Sequence, residues 1–345
     1  MKINNIEIIS GFKFAEIADV IFSGVFLKSQ IEHLDLKENI DNHIGDSEYI
    51  FVRKKKFSLN ENQIIFCKTE YLQELFRILN KQCNFNNIKL ITHQSDLRIS
   101  KKLYLSKPKC ISKWYSINVD YRSHDLVPIP IGIANFHSKN LNEEMFSGNI
   151  QINNYLMKKN NLLYLNFNPN TNFNHRKSLY NLFSEKKWAN LDFTVLDQAE
   201  YKKRLSIHNF SLAPWGNGID THRFWEALYS GSIPVTKKHL IYESFKTIPK
   251  IIVDDYTDIS KELLKNNLQN LSKNSNDFNL NELDFNYWKK LITDTKSDFE
   301  ESCSVVLINH NHKLLRSVAD FKHTLKSKLK IFNRLRRFLY RVAGF

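Results

Sequence analysis

The sequence predicts an α/β protein of two units, each a doubly wound, Rossmann-like sheet of parallel strands between helices. Three observations carry that prediction. Short apolar runs alternate with amphipathic, helix-length runs, the rhythm of strands joined by crossover helices. The chain has 345 residues, more than one ordinary core accommodates. Apolar residues make up 42% of it, with 25 Phe, 14 Tyr and 5 Trp, so two cores can be filled despite the many Lys and Asn.

In the first unit, Ile6-Glu-Ile-Ile, Gln63-Ile-Ile-Phe-Cys and Lys89-Leu-Ile-Thr-His are strand-like apolar runs, and Glu70-Tyr-Leu-Gln-Glu-Leu-Phe-Arg-Ile-Leu has helical spacing. Val127-Pro-Ile-Pro-Ile-Gly-Ile-Ala-Asn carries two prolines and a glycine, so a loop or sheet-edge element is expected there. It marks the boundary, followed by a polar, Asn-rich link over 138–161. The second unit reads as strands at 162–167, 192–196, 210–213, 233–236 and 250–253, with helices at 174–187, 199–208, 220–230 and 258–271. That succession is the doubly wound pattern. Residues 268–286 read as a polar loop, and no fixed-period repeat is visible. The expected domains are 1–150, 151–310 and a tail, 311–345.

Cys67, Cys83, Cys110 and Cys303 stand far apart, which suggests neither a zinc site nor a disulfide framework and fits a reducing compartment. Charges at Lys2, Glu7, Lys13, Glu16 and Asp19 interrupt any apolar run in the first twenty residues. No signal-peptide core or membrane span is expected there, and the protein is expected in the cytoplasm. The net charge of +14 raises nucleic acid or an anionic surface as a partner. Eight of those cations fall between Phe321 and Phe345 with no acid among them, which leaves +6 for the rest.

One turn combines several signals. Phe210-Ser-Leu-Ala-Pro-Trp-Gly-Asn-Gly-Ile-Asp-Thr-His-Arg runs from a short apolar strand through two glycines into a helix, a place where open α/β sheets bind ligands. Gly216 and Gly218 permit positive φ and close backbone approach, and the amides of the helix start attract phosphate. Asp220 or Thr221 is the expected N-cap, and Gly231 the C′ residue that ends the helix. His222, Arg223 and Glu226 lie three and four apart and share a face. Arg223 suits a diphosphate and Glu226 the hydroxyls of a ribose, although the same spacing suits a helix-surface ion pair beside a structural turn.

The stretch from Phe210 to Val235, Pro-x-Gly-Asn-Gly-Ile-Asp-x-His-Arg-x-Trp-Glu-Ala-Leu-x-x-Gly-x-Ile-Pro-Val, resembles the donor-binding signature of exostosin-like glycosyltransferases. The resemblance implies a GT-B fold, two Rossmann-like domains facing a cleft, with a nucleotide-sugar held by the second. It implies donor contacts from Gly216, Asn217, Gly218, Asp220, His222, Arg223 and Glu226, with Arg223 on the diphosphate and Glu226 on the ribose. Leu162-Leu-Tyr-Leu-Asn-Phe-Asn-Pro-Asn-Thr-Asn-Phe-Asn-His-Arg looks similar to bacterial members of the same group. There Arg176 would reach the same diphosphate and Asn166 and Thr171 would offer hydrogen bonds; Arg176 also suits a plain helix-terminal surface position. The likeness touches about half the chain and leaves 1–60 and 255–345 uncovered.

An inverting transfer needs a group that takes the acceptor hydroxyl's proton. His93 and Asp96 of Ile91-Thr-His-Gln-Ser-Asp-Leu, also similar to those bacterial members, follow a strand and are the candidates, unless Ser95 and Asp96 only cap the next turn. Asn118, His124 and Asn135 are weaker candidates for the acceptor side. No two aspartates lie two apart, so the Asp-x-Asp of a metal-dependent transferase is missing and no metal or cofactor is expected beyond the nucleotide-sugar as co-substrate. In the tail, Phe321, Leu325, Leu329, Phe332, Leu335, Leu339 and Val342 form an apolar helical stripe flanked by cations. That pattern fits an interfacial helix on the anionic inner face of a membrane, or a C-terminal helix packed on the protein. The expected function is sugar transfer from a nucleotide-sugar to a hydroxyl of a surface glycan such as capsule, O-antigen or lipooligosaccharide, with no nucleic-acid partner. Two alternatives are a non-catalytic polyanion or nucleic-acid binder using the tail, and a nucleotide-binding scaffold without turnover.

Overall fold

The computed structural model describes residues 6–34, 36, 49–84, 86–134, 146, 150–193 and 196–294, and the backbone alone of 2–3, 40–44 and 302–306. The expected tail helix and Asn135 lie outside the described residues. Met1–Val305 form one compact unit with two large sheets, of seven and five strands, and two short two-stranded pairings. Among the described residues, no helix is long and apolar enough to cross a membrane.

The first sheet has seven strands: β1 (Val20–Leu27), β2 (Ile40–Ile44), β3 (Tyr49–Lys54), β4 (Ile64–Lys68), β5 (Ile88–His93), β6 (Ile111–Ser116) and β7 (Leu126–Pro128). Their order is β2-β3-β1-β4-β5-β6-β7. β1, β4, β5, β6 and β7 run parallel, while β3 and β2 add an antiparallel edge. β5 is buried at all six positions, as a strand covered on both faces must be. The proline-bearing segment is β7, at the sheet edge, where Pro128 needs no ladder donor.

One expected strand differs. Ile6-Glu-Ile-Ile joins no sheet, yet Ile6, Ile8 and Ile9 are buried. Ile9 N donates to the Tyr229 hydroxyl at 3.1 Å and Ile9 O accepts from Ile133 N at 3.0 Å, so its backbone is satisfied by distant loops.

The second sheet is parallel throughout, ordered β9-β8-β10-β11-β12, from β8 (Asn161–Leu165), β9 (Ala189–Leu191), β10 (His208–Leu212), β11 (Ile233–Lys237) and β12 (Ile251–Val253). The helices that matter below are α1 (Gly11–Glu16), α2 (Leu72–Gln82), α3 (Phe173–Phe183), α4 (Gln198–Ser206), α5 (His222–Tyr229), α6 (Lys261–Lys273) and α7 (Phe285–Thr293). The expected elements of this half are present. The strand read at 192–196 is displaced to 189–191, because Lys186 O already accepts from Ala189 N and the preceding turn closes early. The segment read as a loop over 268–286 is more ordered: α6 continues to Lys273, and Asp284 caps α7 by accepting from Asn286 N at 3.1 Å. Leu280, Leu283, Phe285 and Trp288 are buried there, an apolar spacing diluted by asparagines in the sequence.

α5 is well specified. Phe224, Trp225, Ala227 and Leu228 fill one face, none of them β-branched, and all are buried. Trp225 packs edge-on against Phe245 at 5.0 Å, and Phe245 against Trp288 at 6.0 Å. Gly231 has φ +73° and donates to Leu228 O at 2.9 Å, while Ser232 N reaches Ala227 O at 2.9 Å, the paired bonds of a Schellman stop. A side chain at 231 would be strained in that conformation.

The two sheets are tied together at several points. α7 returns to the first: Phe285 N donates to Glu7 O at 2.8 Å and Lys89 Nζ to Ile292 O at 2.6 Å. Arg122 pairs with Glu243 at 2.6 Å and His239 with Asp120 at 3.1 Å. These bonds set the ends of β4, β5 and β6 opposite the turn that follows β10.

Candidate functional site

The turn Pro214–Thr221 leaves the carboxyl end of β10 and is shaped by residues far from it. Asn118, fully buried after β6 and held at φ +53°, accepts through Oδ1 from Ile219 N at 2.8 Å and Asp220 N at 2.9 Å, and donates through Nδ2 to Ser95 O at 2.9 Å. Two amides of the turn, just ahead of the helix that starts at His222, are therefore already satisfied. Neither Gly216 nor Gly218 has positive φ. Their value is space: a Cβ at 218 would stand 2.9 Å from Asn118 Nδ2, and one at 216 would stand 3.2 Å from Arg176 Nη2 and 3.5 Å from Thr171 Cγ2. Asn217, between them, is exposed.

Asp220 points inward and is buried. It accepts from Ile131 N at 2.8 Å and from Trp225 Nε1 at 3.0 Å, so it fastens the turn to the first half rather than facing solvent. Burial raises its carboxyl to about 7, against the lowering pull of the Ile131 amide. Thr221 is the N-cap residue of α5, without a side-chain cap bond. His222 is also drawn to the first half, its Nδ1 lying 2.8 Å from Gly132 O.

Cations gather on the other side of the turn. Arg176, in the first turns of α3, is buried; Nε donates to Trp215 O and Nη2 to Pro214 O, each at 3.0 Å, and Nη1 to Asn168 O at 3.2 Å. It is thus an internal clamp on the glycine turn and not a helix-terminal surface residue. Burial first, and then the neighbouring charge of Arg223, lowers it to about 10, so it stays cationic at neutral pH. Three of its five N–H groups are used. Arg223, on the first turn of α5, lies 6.0 Å from the Tyr201 ring centroid, and its Nε is buried with no hydrogen-bond partner. Among the described residues, neither guanidinium has a carboxylate within ion-pair distance.

One turn further along α5, Glu226 accepts from the Tyr201 hydroxyl of α4 at 3.2 Å. Burial raises the Tyr201 hydroxyl well above its ordinary range, so it remains a donor. Glu226 is half-buried and keeps further acceptor capacity. Thr171 and the half-buried Asn166, which neighbours the Tyr164 hydroxyl, flank the same side from the loop after β8. Thus Arg176, Arg223, Glu226, Gly216, Asn217, Thr171 and Asn166 collect at the carboxyl ends of β8 and β10, while Asp220 and His222 turn toward the first sheet. Two cations without a counter-ion beside a carboxylate and a phenol suit a ligand with a phosphoanhydride at one end and a diol at the other.

His222 opens instead onto a cavity of about 390 Å³ at the carboxyl ends of β4 and β5. His93 and Asp96 line it, with Gln94, Ser95, Lys68 and Glu70 beside them and Ile131 and Ile133 supplying apolar wall. His93 is 2% exposed, stacks on Phe14 at 5.5 Å, and has both ring nitrogens engaged: Nδ1 accepts from Gln94 N at 2.8 Å and Nε2 lies 3.4 Å from Pro130 O. Burial pushes it down to about 3, so it is a neutral ring with no lone pair to spare. Gly11 leaves the room it needs, since a Cβ there would lie 2.8 Å from Nδ1. Gln94, at φ +58°, fastens this loop to β1 by bonding Val25 N and O at 2.8 and 3.0 Å.

Asp96 is exposed on the rim with no partner among the described residues. A second carboxylate, Glu70, stands there in an ion pair with Lys68. Sequence reasoning passed over Glu70 and Lys68, although both follow the apolar run 63–67 as His93 ends the run at 89. It also underused Asn118, which holds the turn instead of lining an acceptor site. His124 is exposed beside Asp125 and away from the cavity. No protein-family model matches the chain, and no characterised protein matches it significantly in sequence.

Proposed function

We propose that the chain is a glycosyltransferase of the exostosin-like type, with the two sheets forming the halves of a GT-B arrangement divided near residue 150. The observation that carries this reading is the pair Arg176 and Arg223, cations beside the glycine turn with no acidic partner among the described residues and an orphaned Arg223 Nε. A buried polar atom without a partner is costly, about 1–3 kcal/mol, and a nucleotide diphosphate would relieve that cost. In this reading Arg223 and Arg176 meet the diphosphate, Glu226 the ribose, and Thr171, Asn166 and the 216–218 turn the sugar. The leaving diphosphate is stabilised by fixed cations, the electrostatic alternative to a metal ion.

The acceptor hydroxyl enters the 390 Å³ cavity, where Asp96 takes its proton. His93 positions the loop that carries Asp96 and does not act as the base, because its nitrogens are occupied. His222 links the two sites, since it follows the turn and lines the cavity. Transfer is then in-line, with inversion, to a surface glycan, and the basic tail 321–345 holds the protein to the inner face of the membrane.

Thermal-shift measurements with UDP, GDP, CMP and their sugars test the donor half. One nucleotide class should stabilise the wild type, and Arg223→Ala should weaken it about 10- to 100-fold, as expected for one charge-assisted hydrogen-bonding group. If no nucleotide raises the melting temperature, the reading is wrong.

A further inference from the structure

A second cavity, about 690 Å³, opens at the amino-terminal end of the second sheet. It is lined at the entry to β8, within β9 and at the start of β10, whereas the glycine turn leaves the far end of β10. Five residues of β10 at roughly 3.3 Å each separate the two places by about 16 Å. This cavity therefore belongs to neither the proposed donor site nor the acceptor site.

Its walls carry Lys158, Lys159, Lys187, Lys261 and Lys265 and no acidic residue. Lys158, Lys187, Lys261 and Lys265 are exposed, and among the described residues none of the five has an acidic partner. Lys159 is deeper, donating to the carbonyls of His208 and Gly231, and burial lowers it to about 8. Around the cations stand the exposed amides of Asn190 and Gln269 and the half-buried ring of Trp188, while Asn209 below them is buried with both side-chain groups bonded to backbone. Each set matches one part of a ligand. Unpaired ammonium groups recognise separated negative charges, amides recognise hydroxyls, and an indole face covers the C–H face of a sugar ring.

We propose that this groove binds an acidic glycan, a sugar chain bearing carboxylates or phosphates. A flat bilayer cannot reach Lys159 at the bottom of a concavity, and a single Trp is too few for the successive base stacking that single-stranded nucleic acid uses. That the bound glycan is also the growing product, held while its end is extended in the cleft, rests on the transfer reading; the binding itself does not.

The test is titration of the full-length protein with hexagalacturonate, with neutral maltohexaose of equal length, with an oligothymidylate, and with vesicles of phosphatidylglycerol and phosphatidylcholine. The variant K187E/K261E reverses one exposed charge on each wall. K261E places an acid in the first turn of α6, where it suits the helix dipole, and K187E changes an exposed turn position, so neither removes a buried contact. Wild type should bind hexagalacturonate and not maltohexaose, and K187E/K261E should bind it about tenfold more weakly or worse, since two attractions become repulsions. No hexagalacturonate binding, binding indifferent to K187E/K261E, or a variant that loses only the oligothymidylate or the vesicles would each overturn the proposal. Nucleotide thermal shifts on the same samples keep the two readings separable: an unchanged nucleotide response with lost glycan binding reports on the groove alone.

Discussion

Asn118→Ala is the most informative single change. It removes the acceptor for Ile219 N and Asp220 N, at 2.8 and 2.9 Å, in a place with no exposed surface. Leaving a buried amide unsatisfied costs about 1–3 kcal/mol, so the pair accounts for about 2–6 kcal/mol. Alanine at φ +53° lacks the local bonds that let asparagine hold a left-handed conformation, which adds about 1 kcal/mol. Asn118→Gly removes the side chain without that strain and should be about 1 kcal/mol milder. Urea unfolding gives the total, and hydrogen exchange at residues 219 and 220 gives the local part, because their protection should fall before that of the β10 amides. Gly218→Ala adds a cycle: its Cβ would meet Asn118 Nδ2, Oδ1 and Cγ at 2.9–3.2 Å in the wild type, and Asn118→Ala removes all three atoms, so the two changes should be non-additive. A cost below about 1 kcal/mol, with unchanged exchange at 219 and 220, would refute the view that Asn118 organises the turn.

Further outcomes follow from the same contacts. Asp96→Asn should keep the nucleotide-induced thermal shift and lose transfer by about 100-fold or more, as removal of a general base does, whereas full activity would remove Asp96 from that role. His93→Gln should lose less, and through the position of the 93–96 loop, so Asp96→Asn and His93→Gln together should cost less than the product of their separate effects. Asp220, raised to about 7 in the folded protein from an unfolded value near 3.9, is proton-bound in the native state across that interval. Its stabilising contribution is therefore complete below about pH 4 and is lost as pH rises toward 7; Asp220→Asn should remove that slope in thermal melts taken across the interval. His93 acts in the opposite sense, since its depressed value of about 3 keeps stability above about pH 6.5 and gives it up as pH falls. His93→Gln should flatten that acid limb. Because the proposed leaving-group cations are Arg176 and Arg223, chelation with EDTA should leave transfer unchanged, measured as nucleotide release.

The local patterns written in the chain were sufficient for much of the architecture. The alternation of apolar and amphipathic runs identified a parallel second sheet, and Gly231, with a fixed place after an apolar helix, identified the stop of α5, because both are decided within a few residues. The glycine turn with Arg223 and Glu226 was legible in the same way. Which side chains remain available to a ligand was not. Asn118 reaches the turn across 101 residues and Asp220 reaches Ile131 across 89, and such bonds leave no periodic trace. The tertiary structure therefore decided that Asp220 and two of the turn amides are consumed internally. It decided too that His93 is a neutral, doubly bonded ring, and that Arg176 and Arg223 stand beside the turn with no carboxylate in ion-pair distance among the described residues. Burial and hydrogen-bond saturation are properties of packed neighbours, and neighbours distant in sequence exist only once the chain has folded.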